Sequence, residues 1–404
     1  MTNVSIQKAV FMLKSGFCIV IDDLMFFSTQ TIDFDFLSNI FSKTINENSL
    51  EFCYTKKFFD FNINSLKNFN FTTSWDKYGS DNNFDVKTSD FLDFKKTSKS
   101  QTLALKLCVY AGLTPCVVSI SMLNNKQNFI IEEIKKLYEP IYLKSDDVLN
   151  FDFDRFEDLK YISSAKVSNE NSDNTYLYTF LSKTSGEIHY AITVNYNFDK
   201  NIINKNKQPT TIRIHSSCYT GDLMSSLRCD CKYQLHNAIN ILSRKKDGGI
   251  VIYLMQEGRG IGLANKLSAY QYQQNCLHNP FLFELKMFIN LINSSKTNFI
   301  NKSEILNIIN YLENNKYQTL DTVDSNNVIG LEDDYRNFIP AKKILDFFNI
   351  ESVNLITNNP LKVNFLTNLG IKVIDTINIK SPLNKHNKDY IKTKKQRMGH
   401  KGVV

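Results

Sequence analysis

Glycine and proline are scarce in this 404-residue chain, at 14 and 7, and tryptophan occurs once. Those counts exclude collagen-like, Pro-rich and Gly/Ser-linker architectures. No apolar run reaches the roughly 18–20 residues that a membrane-spanning helix needs. Ala9–Leu13 and Phe17–Ile21 are cut short by Lys14 and by Asp22-Asp23. The first residues also lack the basic, apolar, then small pattern of a secretion signal. A cytoplasmic location without membrane association is the expectation. No G-x-x-x-x-G-K-[ST] occurs, which excludes a P-loop nucleotide site. Eight cysteines are too few for a disulfide scaffold in a chain of this length, so they read as thiols or metal ligands. Five of them, Cys18, Cys53, Cys108, Cys116 and Cys276, stand singly and read as small core residues.

The net charge of +7 is local. Residues 380–401 carry eight Lys/Arg and one acidic residue, and the rest of the chain balances 40 basic against 40 acidic. A uniformly basic nucleic-acid binder is therefore not expected, and the tail reads as a solvated segment.

The chain is long enough for two cores. Residues 1–168 mix helical spacing (Ile6–Lys14, Thr102–Tyr110) with short buried strands (Phe17–Ile21, Pro115–Ile120). Phe58–Phe94 has little periodicity. The polar run Ser168–Asn174 marks a boundary. Beyond it, Tyr176–Ser182 and Ile188–Asn195 alternate as paired strands about Ser185-Gly186. Strands at Ile212–His215, Ile250–Leu254 and Val353–Thr357 then interleave with helices at Gln234–Arg244 and Ile339–Phe348. The expectation is two α/β domains, residues 1–168 and 175–404. Phe281–Asn293 and Glu304–Asn314 each carry an apolar face at helical spacing and read as a helical hairpin inserted at about 277–318.

The sharpest chemical signal is Cys218, Cys229 and Cys231, in the spacing C-x10-C-x-C. Three thiolates suit zinc, which is closed by four protein ligands in structural sites and keeps a place for water in catalytic ones. His215 and His236 stand near enough in sequence to serve as a fourth ligand, so the cysteine count leaves both kinds of site open.

The cluster sits in a longer pattern. It begins with Arg213-Ile-His-Ser-Ser-Cys218-Tyr-Thr-Gly-Asp222 and Leu227-Arg-Cys-Asp-Cys231, followed by Gln234. Gln256-Glu-Gly-Arg-Gly-Ile-Gly-Leu263, Lys266, Tyr270, Asp321-Thr-Val323, Asp334-Tyr-Arg336 and Leu355-Ile-Thr-Asn-Asn-Pro360 come after it. In order and spacing this resembles the GTP cyclohydrolase II signature, over roughly residues 175–400. The resemblance implies that Cys218, Cys229 and Cys231 hold one zinc per chain, with water in the fourth place. Bound zinc lowers the pKa of water to about 7, which suits opening of the guanine ring with loss of formate. The resemblance makes Arg336 the nucleophile toward the α-phosphate, Asp334 its proton acceptor, and Tyr270 a catalytic group near the metal. Asp-x-Arg alone would read as a surface ion pair. Arg213, Ile214, His215, Ser216, Ser217, Gln234, Glu257, Gly258, Arg259, Thr322, Thr357 and Lys362 fall where the family contacts GTP. Magnesium with the triphosphate and a homodimer are also implied, with products that begin riboflavin synthesis. The rival reading is a GTP- and zinc-binding regulator or scaffold without turnover.

Two departures stand out. The family's glutamate before the first cysteine is Ser217 here, and a hairpin separates Tyr270 from Thr322. The order of elements in the N-terminal half is similar to 3,4-dihydroxy-2-butanone 4-phosphate synthase, through Ala9–Asp23, Ala111–Pro115 and Asp158–Ala165. The acidic loop and histidine of that family are replaced by Leu24–Thr29 and Lys99–Leu103. A degenerate, inactive domain is expected, because metal-binding carboxylates and an acid/base His are missing.

Overall fold

The computed structural model describes residues 2–33, 50–55, 72–74, 95–96, 98–123, 128–151, 158–183, 185–196, 208–273, 325, 329, 331 and 334–388. Contacts divide the chain into one unit of Met1–Phe151 with Ala264–Asp333, and a second of Asp152–Leu263 with Asp334–Val404. No helix among the described residues is long and apolar enough to cross a membrane.

In the first unit the apolar stripe of α1 (Thr2–Lys14) buries Ile6, Ala9, Val10 and Leu13. β1 (Ile19–Ile21) and β2 (Leu24–Ser28) form a hairpin around Asp22-Asp23. Next come β3 (Leu50–Thr55), β4 (Thr72–Ser74), β5 (Lys95–Lys96), α2 (Lys99–Tyr110), β6 (Cys116–Ser121), α3 (Asn128–Tyr138), β7 (Ile141–Leu143) and α4 (Ser145–Leu149). The strands pair in the order β5-β4-β3-β6-β2-β1-β7. α2 starts where it does because Ser98 and Gln101 form a reciprocal capping box that satisfies two orphan helix donors.

The second unit begins with the antiparallel strands β8 (Leu159–Lys166), β9 (Thr175–Ser182) and β10 (Ile188–Val194). They lead into a βαβ arrangement of β11 (Thr210–Ser216), α5 (Cys231–Ser243) and β12 (Gly249–Leu254). α6 (Gly262–Gln273) comes next in the chain and from Ala264 belongs to the first unit, and α7 (Ile339–Phe347), β13 (Ser352–Ile356), α8 (Pro360–Asn368) and β14 (Lys372–Ile377) complete the second. The sheet order is β14-β13-β11-β12-β10-β9-β8, parallel from β14 to β12 and antiparallel beyond. Both faces of the parallel part are covered, as such sheets require. Ile212, Ile214, Ile250, Ile252 and Leu355 pack with Ala341, Ile344 and Leu345 of α7 and Leu366 of α8. On the opposite face Val194, Val251 and Ile356 pack with Ala238 and Leu242 of α5.

Contacts divide the chain at other points than the expected boundaries. β8 pairs with β9 from Leu159 to Lys166, so the division falls at Phe151/Asp152 and not in the polar run Ser168–Asn174. The stretch Ala264–Asp333 clusters with the first unit and not the second. Asn265 shows why at the start of that stretch: its side chain donates to the Gly112 carbonyl at 3.1 Å and accepts from Gln30 at 3.1 Å. The expected hairpin at about 277–318 lies outside the described residues, as does the tail beyond residue 388.

Leu355 is fully buried in the layer between the second sheet and α7 and α8. Leu355→Ala should lower stability by about 2–5 kcal/mol through lost burial and a residual cavity, read as a fall in the urea midpoint of that unit. An unchanged midpoint would mean that this strand is not central to the core.

Candidate functional site

β11 and β12 run parallel in a register that sets Arg213 opposite Val251 and His215 opposite Tyr253, while β13 pairs on the other side of β11. The chain leaves β11 toward β12 on one flank and returns to β13 on the other. Ligand crevices form outside the carboxyl ends of strands at such a switch point. Three segments emerge at this edge: Ser217-Cys218 after β11, Met255–Gly260 after β12, and Thr357–Asn359 after β13.

From Cys218 the backbone enters a wide turn, Tyr219–Leu223, closed by the Met224 N–H on the Tyr219 carbonyl at 3.2 Å. The turn brings Cys218 back to Cys229 and Cys231 at the start of α5, with all three sulfurs within 4.8 Å of one another. The Cys218 and Cys229 sulfurs are 3.7 Å apart. A disulfide would bring them to about 2 Å, whereas zinc–sulfur bonds of about 2.3 Å in a tetrahedron place sulfurs roughly 3.8 Å apart. Gly221 makes the approach possible, because a Cβ there would lie 2.8 Å from the Cys229 sulfur and 3.0 Å from that of Cys218. Without a cation the crowded thiols hold their protons. The Cys229 thiol is pushed up to about 11, first by its contact with Cys218. Cys231 is pushed well above its ordinary value by contact with both neighbours and by burial. A divalent ion inverts that balance, so the soft donor set, the spacing and the cradle fit zinc. Among the described residues this is the one group of three or more His, Cys, Asp or Glu close enough to share a metal ion.

On the α5 side of the sheet, β11 contributes two polar residues, Arg213 and His215. Buried Arg213 donates to the Ile356 carbonyl at 2.9 Å and to Gln234 Oε1 at 2.6 Å. Gln234 in turn donates to Asp230 at 2.6 Å, and Ser381 donates to the same Asp230 oxygen at 2.7 Å. Burial lowers the Arg213 pKa to about 10, and the charge of Arg336 acts in the same direction. His215 stacks on Tyr253 at 5.5 Å, its in-register neighbour, and its Nε2 faces the Asp222 carboxylate at 3.2 Å. Burial holds the His215 pKa below the ordinary imidazole value, against the raising influence of Asp222.

Glu257 accepts from the Tyr219 N–H at 2.5 Å and thereby ties the glycine-rich loop to the cysteine turn. Within that loop Gly258 and Gly260 have φ of 61° and 89°, and Arg259 between them has φ of 64°. A left-handed arginine is uncommon and marks a constrained position. The Arg259 carbonyl accepts from the Tyr335 N–H at 2.9 Å, which sets the loop against the Asp334–Arg336 segment. There Arg336 donates through Nε to Asp334 Oδ1 at 2.8 Å and through Nη2 to Oδ2 at 2.5 Å. Burial acts to raise the Asp334 pKa, but these bonds and the Arg336 charge hold it below the usual carboxylate range. Lys362 of α8 donates to the Ile214 carbonyl at 2.7 Å, and both Lys362 and Arg336 lie over the Phe338 ring. Thr357 accepts from the Asn359 N–H at 3.1 Å and is buried.

Buried polar atoms without a protein partner concentrate at this edge. They include Arg213 Nε, His215 Nδ1, the hydroxyls of Ser216 and Ser217, and Gln256 Oε1. Unpaired buried polar groups cost stability unless a ligand or water meets them. Cations gathered with unspent donors and acceptors form a receptor for a polar, anionic molecule.

The expected residues Arg213, His215, Ser216, Ser217, Gln234, Glu257, Gly258, Arg259, Asp334, Arg336, Thr357 and Lys362 thus come to one edge together with the cysteines, and Ile214 contributes its carbonyl. Tyr270 belongs to the first unit, with the Lys266 ammonium 5.7 Å from its ring centroid, and Thr322 lies outside the described residues. Asp222, Asp230 and Tyr253 were not singled out by sequence. Asp222 and Asp230 stand beside the cysteines in chain order, which was the available signal; Tyr253 gave none. In the first unit Asp22 accepts from the Ser100 hydroxyl at 2.6 Å and from the Ser145 N–H at 3.0 Å, so its oxygens are turned onto helix starts.

Comparison with known proteins identifies relatives of this region. Residues 160–279 and 299–378 match the family model of GTP cyclohydrolase II. GTP cyclohydrolase-2 of Azospirillum brasilense is 30% identical over 300 residues, 74% of this chain and 64% of that protein. Riboflavin biosynthesis protein RibBA of Thermotoga maritima is 30% identical over 317 residues, 76% of this chain and 66% of its own. The Staphylococcus haemolyticus protein of the same name is 39% identical over 189 residues, 47% of this chain and 37% of its own. The chain therefore spans between about four tenths and two thirds of the length of these relatives. A solved structure, RibBX, a two-domain 3,4-dihydroxy-2-butanone 4-phosphate synthase from A. baumannii, covers 93% of this chain and 99% of its own, with 10% identity. Its TM-score of 0.25 is too low to establish a common arrangement. The C-terminal region of this chain, from residue 160 to residue 378, belongs to the GTP cyclohydrolase II family.

Proposed function

We propose that the C-terminal region converts GTP to 2,5-diamino-6-ribosylamino-pyrimidinone 5′-phosphate, formate and pyrophosphate, the first step of riboflavin synthesis. The observation that carries this reading is the meeting of a three-thiol metal pocket with unpartnered buried polar atoms at one sheet edge. Cys218, Cys229 and Cys231 would hold one zinc, and the chemistry it would supply there is activation of water at neutral pH. Arg213, Arg259 and Lys362 supply positive charge for the triphosphate, which carries magnesium with it. The hydroxyls of Ser216 and Ser217, His215 Nδ1 and Gln256 Oε1 are available to the nucleoside. Glu257 fixes the glycine loop over the cysteine turn, and Gln234 holds Arg213 in place.

Arg336 attacks the α-phosphorus. The bidentate pairing with Asp334 fixes the guanidinium plane, and pyrophosphate leaves as the guanidinium proton passes to Asp334. Water then cleaves the N–P bond, which releases the 5′-phosphate and returns the proton to Arg336. The resting pair is ionic, since Arg336 holds the Asp334 carboxyl deprotonated. Proton transfer must therefore accompany attack and cannot precede it. In this reading the protein acts as a homodimer, and the first unit retains a butanone phosphate synthase-like ancestry without its activity.

Purified protein should contain about one zinc per chain. Cys229→Ser and Cys231→Ser should lose it, and Gly221→Ala should weaken it by pushing the sulfurs apart. Metal analysis showing full zinc in all three variants would remove the site as drawn.

Arg336→Lys keeps the charge but not the planar fork, so it should retain zinc and bind GTP yet lose nearly all pyrophosphate and formate release. Cys229→Ser should block formate and leave slow pyrophosphate release. Rapid-quench measurement of both products from each variant checks the order. Normal pyrophosphate release by Arg336→Lys would leave the arginine as a charge clamp, and a wild-type protein that binds GTP without either product would favour the regulatory reading.

Ribulose 5-phosphate should not be converted by the intact protein, because Asp22 is bound by serines and the acidic loop is replaced by β2. Detectable butanone phosphate would overturn this.

A further inference from the structure

Asp222 is the most heavily shared side chain of the cysteine turn. One oxygen, Oδ2, accepts from the Cys218 backbone N–H at 3.0 Å and from the Tyr253 hydroxyl at 2.9 Å, and faces His215 Nε2 at 3.2 Å. The side chain is 9% exposed and that of His215 is 3% exposed. Three groups from three places converge on it: the first cysteine, the end of β11 and the end of β12.

We propose that Asp222 is a positioning residue that couples the metal-binding cysteines to the nucleoside-reading face of His215. The inference rests on the assignment of Cys218, Cys229 and Cys231 as the zinc site. Oδ2 already accepts from the Cys218 N–H and the Tyr253 hydroxyl, so this oxygen is an acceptor. The ring nitrogen facing it, Nε2, therefore carries the hydrogen, and the lone pair of the neutral ring stands at Nδ1. Nδ1 is buried and without a partner. His215 is thus presented as an acceptor for an N–H of the purine ring, while the same carboxylate anchors the backbone from which Cys218 projects. Outer partners of this kind orient ligands, and their removal commonly weakens metal binding by about 10–100-fold. Stacking of His215 on Tyr253 fixes the ring plane, and the Tyr253 hydroxyl returns to the same oxygen, so the three side chains form a closed set.

The test uses the full chain and two readouts that need no turnover. Zinc affinity is measured by competition with a chromogenic chelator. The His215 tautomer is read from two-bond proton–nitrogen correlations in histidine-labelled protein, with His215→Gln for assignment. Asp222→Ala should bind zinc about 10–100-fold more weakly, and Tyr253→Phe less so, since it removes one donor and leaves the carboxylate. Asp222→Asn keeps the shape but can turn an amide donor toward Nε2, so His215 should shift toward the tautomer protonated at Nδ1. If Asp222→Ala fails to fold, as judged by circular dichroism, Asp222→Asn also carries the zinc measurement, with a smaller expected loss. Either wild-type zinc affinity in the folded Asp222 variants or an unchanged His215 tautomer in Asp222→Asn overturns the proposal. Both changes in a protein that never turns over GTP would support the coupling and defeat the cyclohydrolase reading, which separates the two failures.

Discussion

Parallel pairing of β11 with β12, in the register that sets His215 opposite Tyr253, is the constraint from which the C-terminal site follows. It carries Ile212 and Ile214 into the core under α7 and α8 and so forces Arg213 and His215 onto the other face. There they meet Gln234 of α5 and Asp222 of the cysteine turn. A shift of one residue would exchange these sets, burying an arginine and a histidine in an aliphatic layer and exposing two isoleucines. The polar network and the hydrophobic core are thus two results of a single alternation. Neither can be altered along β11 without disturbing the other.

Much of this was legible in the residues. The expected strands β9 to β13 and helices α5 and α7 fall within three residues of their expected ends, because buried parallel strands read as apolar runs and both helices carry clear helical spacing; α8 and β14 were not expected. The three cysteines, Asp334 and Arg336 were found through motif spacing, and the structure brings the sulfurs together. Tyr253 was hidden because it looks like any aromatic in a strand; only register shows that it stacks on His215. The contact division between units was hidden for a related reason. β8 has an exposed, polar pattern typical of an edge strand, so nothing in its composition announces that it pairs with β9. The stretch after Leu263 was assigned by order along the chain, whereas Asn265 binds Gly112 and Gln30, which are far away in sequence.

In the first unit polar side chains hold helix starts against the sheet. Asp22 occupies a left-handed position in the β1–β2 turn, with φ of 52°. Its carboxylate accepts from the Ser100 hydroxyl near the start of α2 and from the Ser145 N–H at the start of α4. Gln101 likewise closes a capping box and donates to Ser119 in the neighbouring strand. Polar side chains at these positions are spent on structure.

Past β14 the chain does not simply depart. Asn358 exchanges two hydrogen bonds with Ile379, and two residues later Ser381 reaches Asp230, the residue between two of the cysteines. The last ordered link of the cysteine site therefore comes from a segment more than 140 residues downstream of it in the chain. A nascent chain cannot complete that link until residue 381 has left the ribosome, and a proteolytic cut just before it would leave Asp230 buried with one donor fewer. Maturation of the metal pocket is in this sense a late event in synthesis, and the intactness of the C-terminal segment is written into the pocket's own hydrogen bonds.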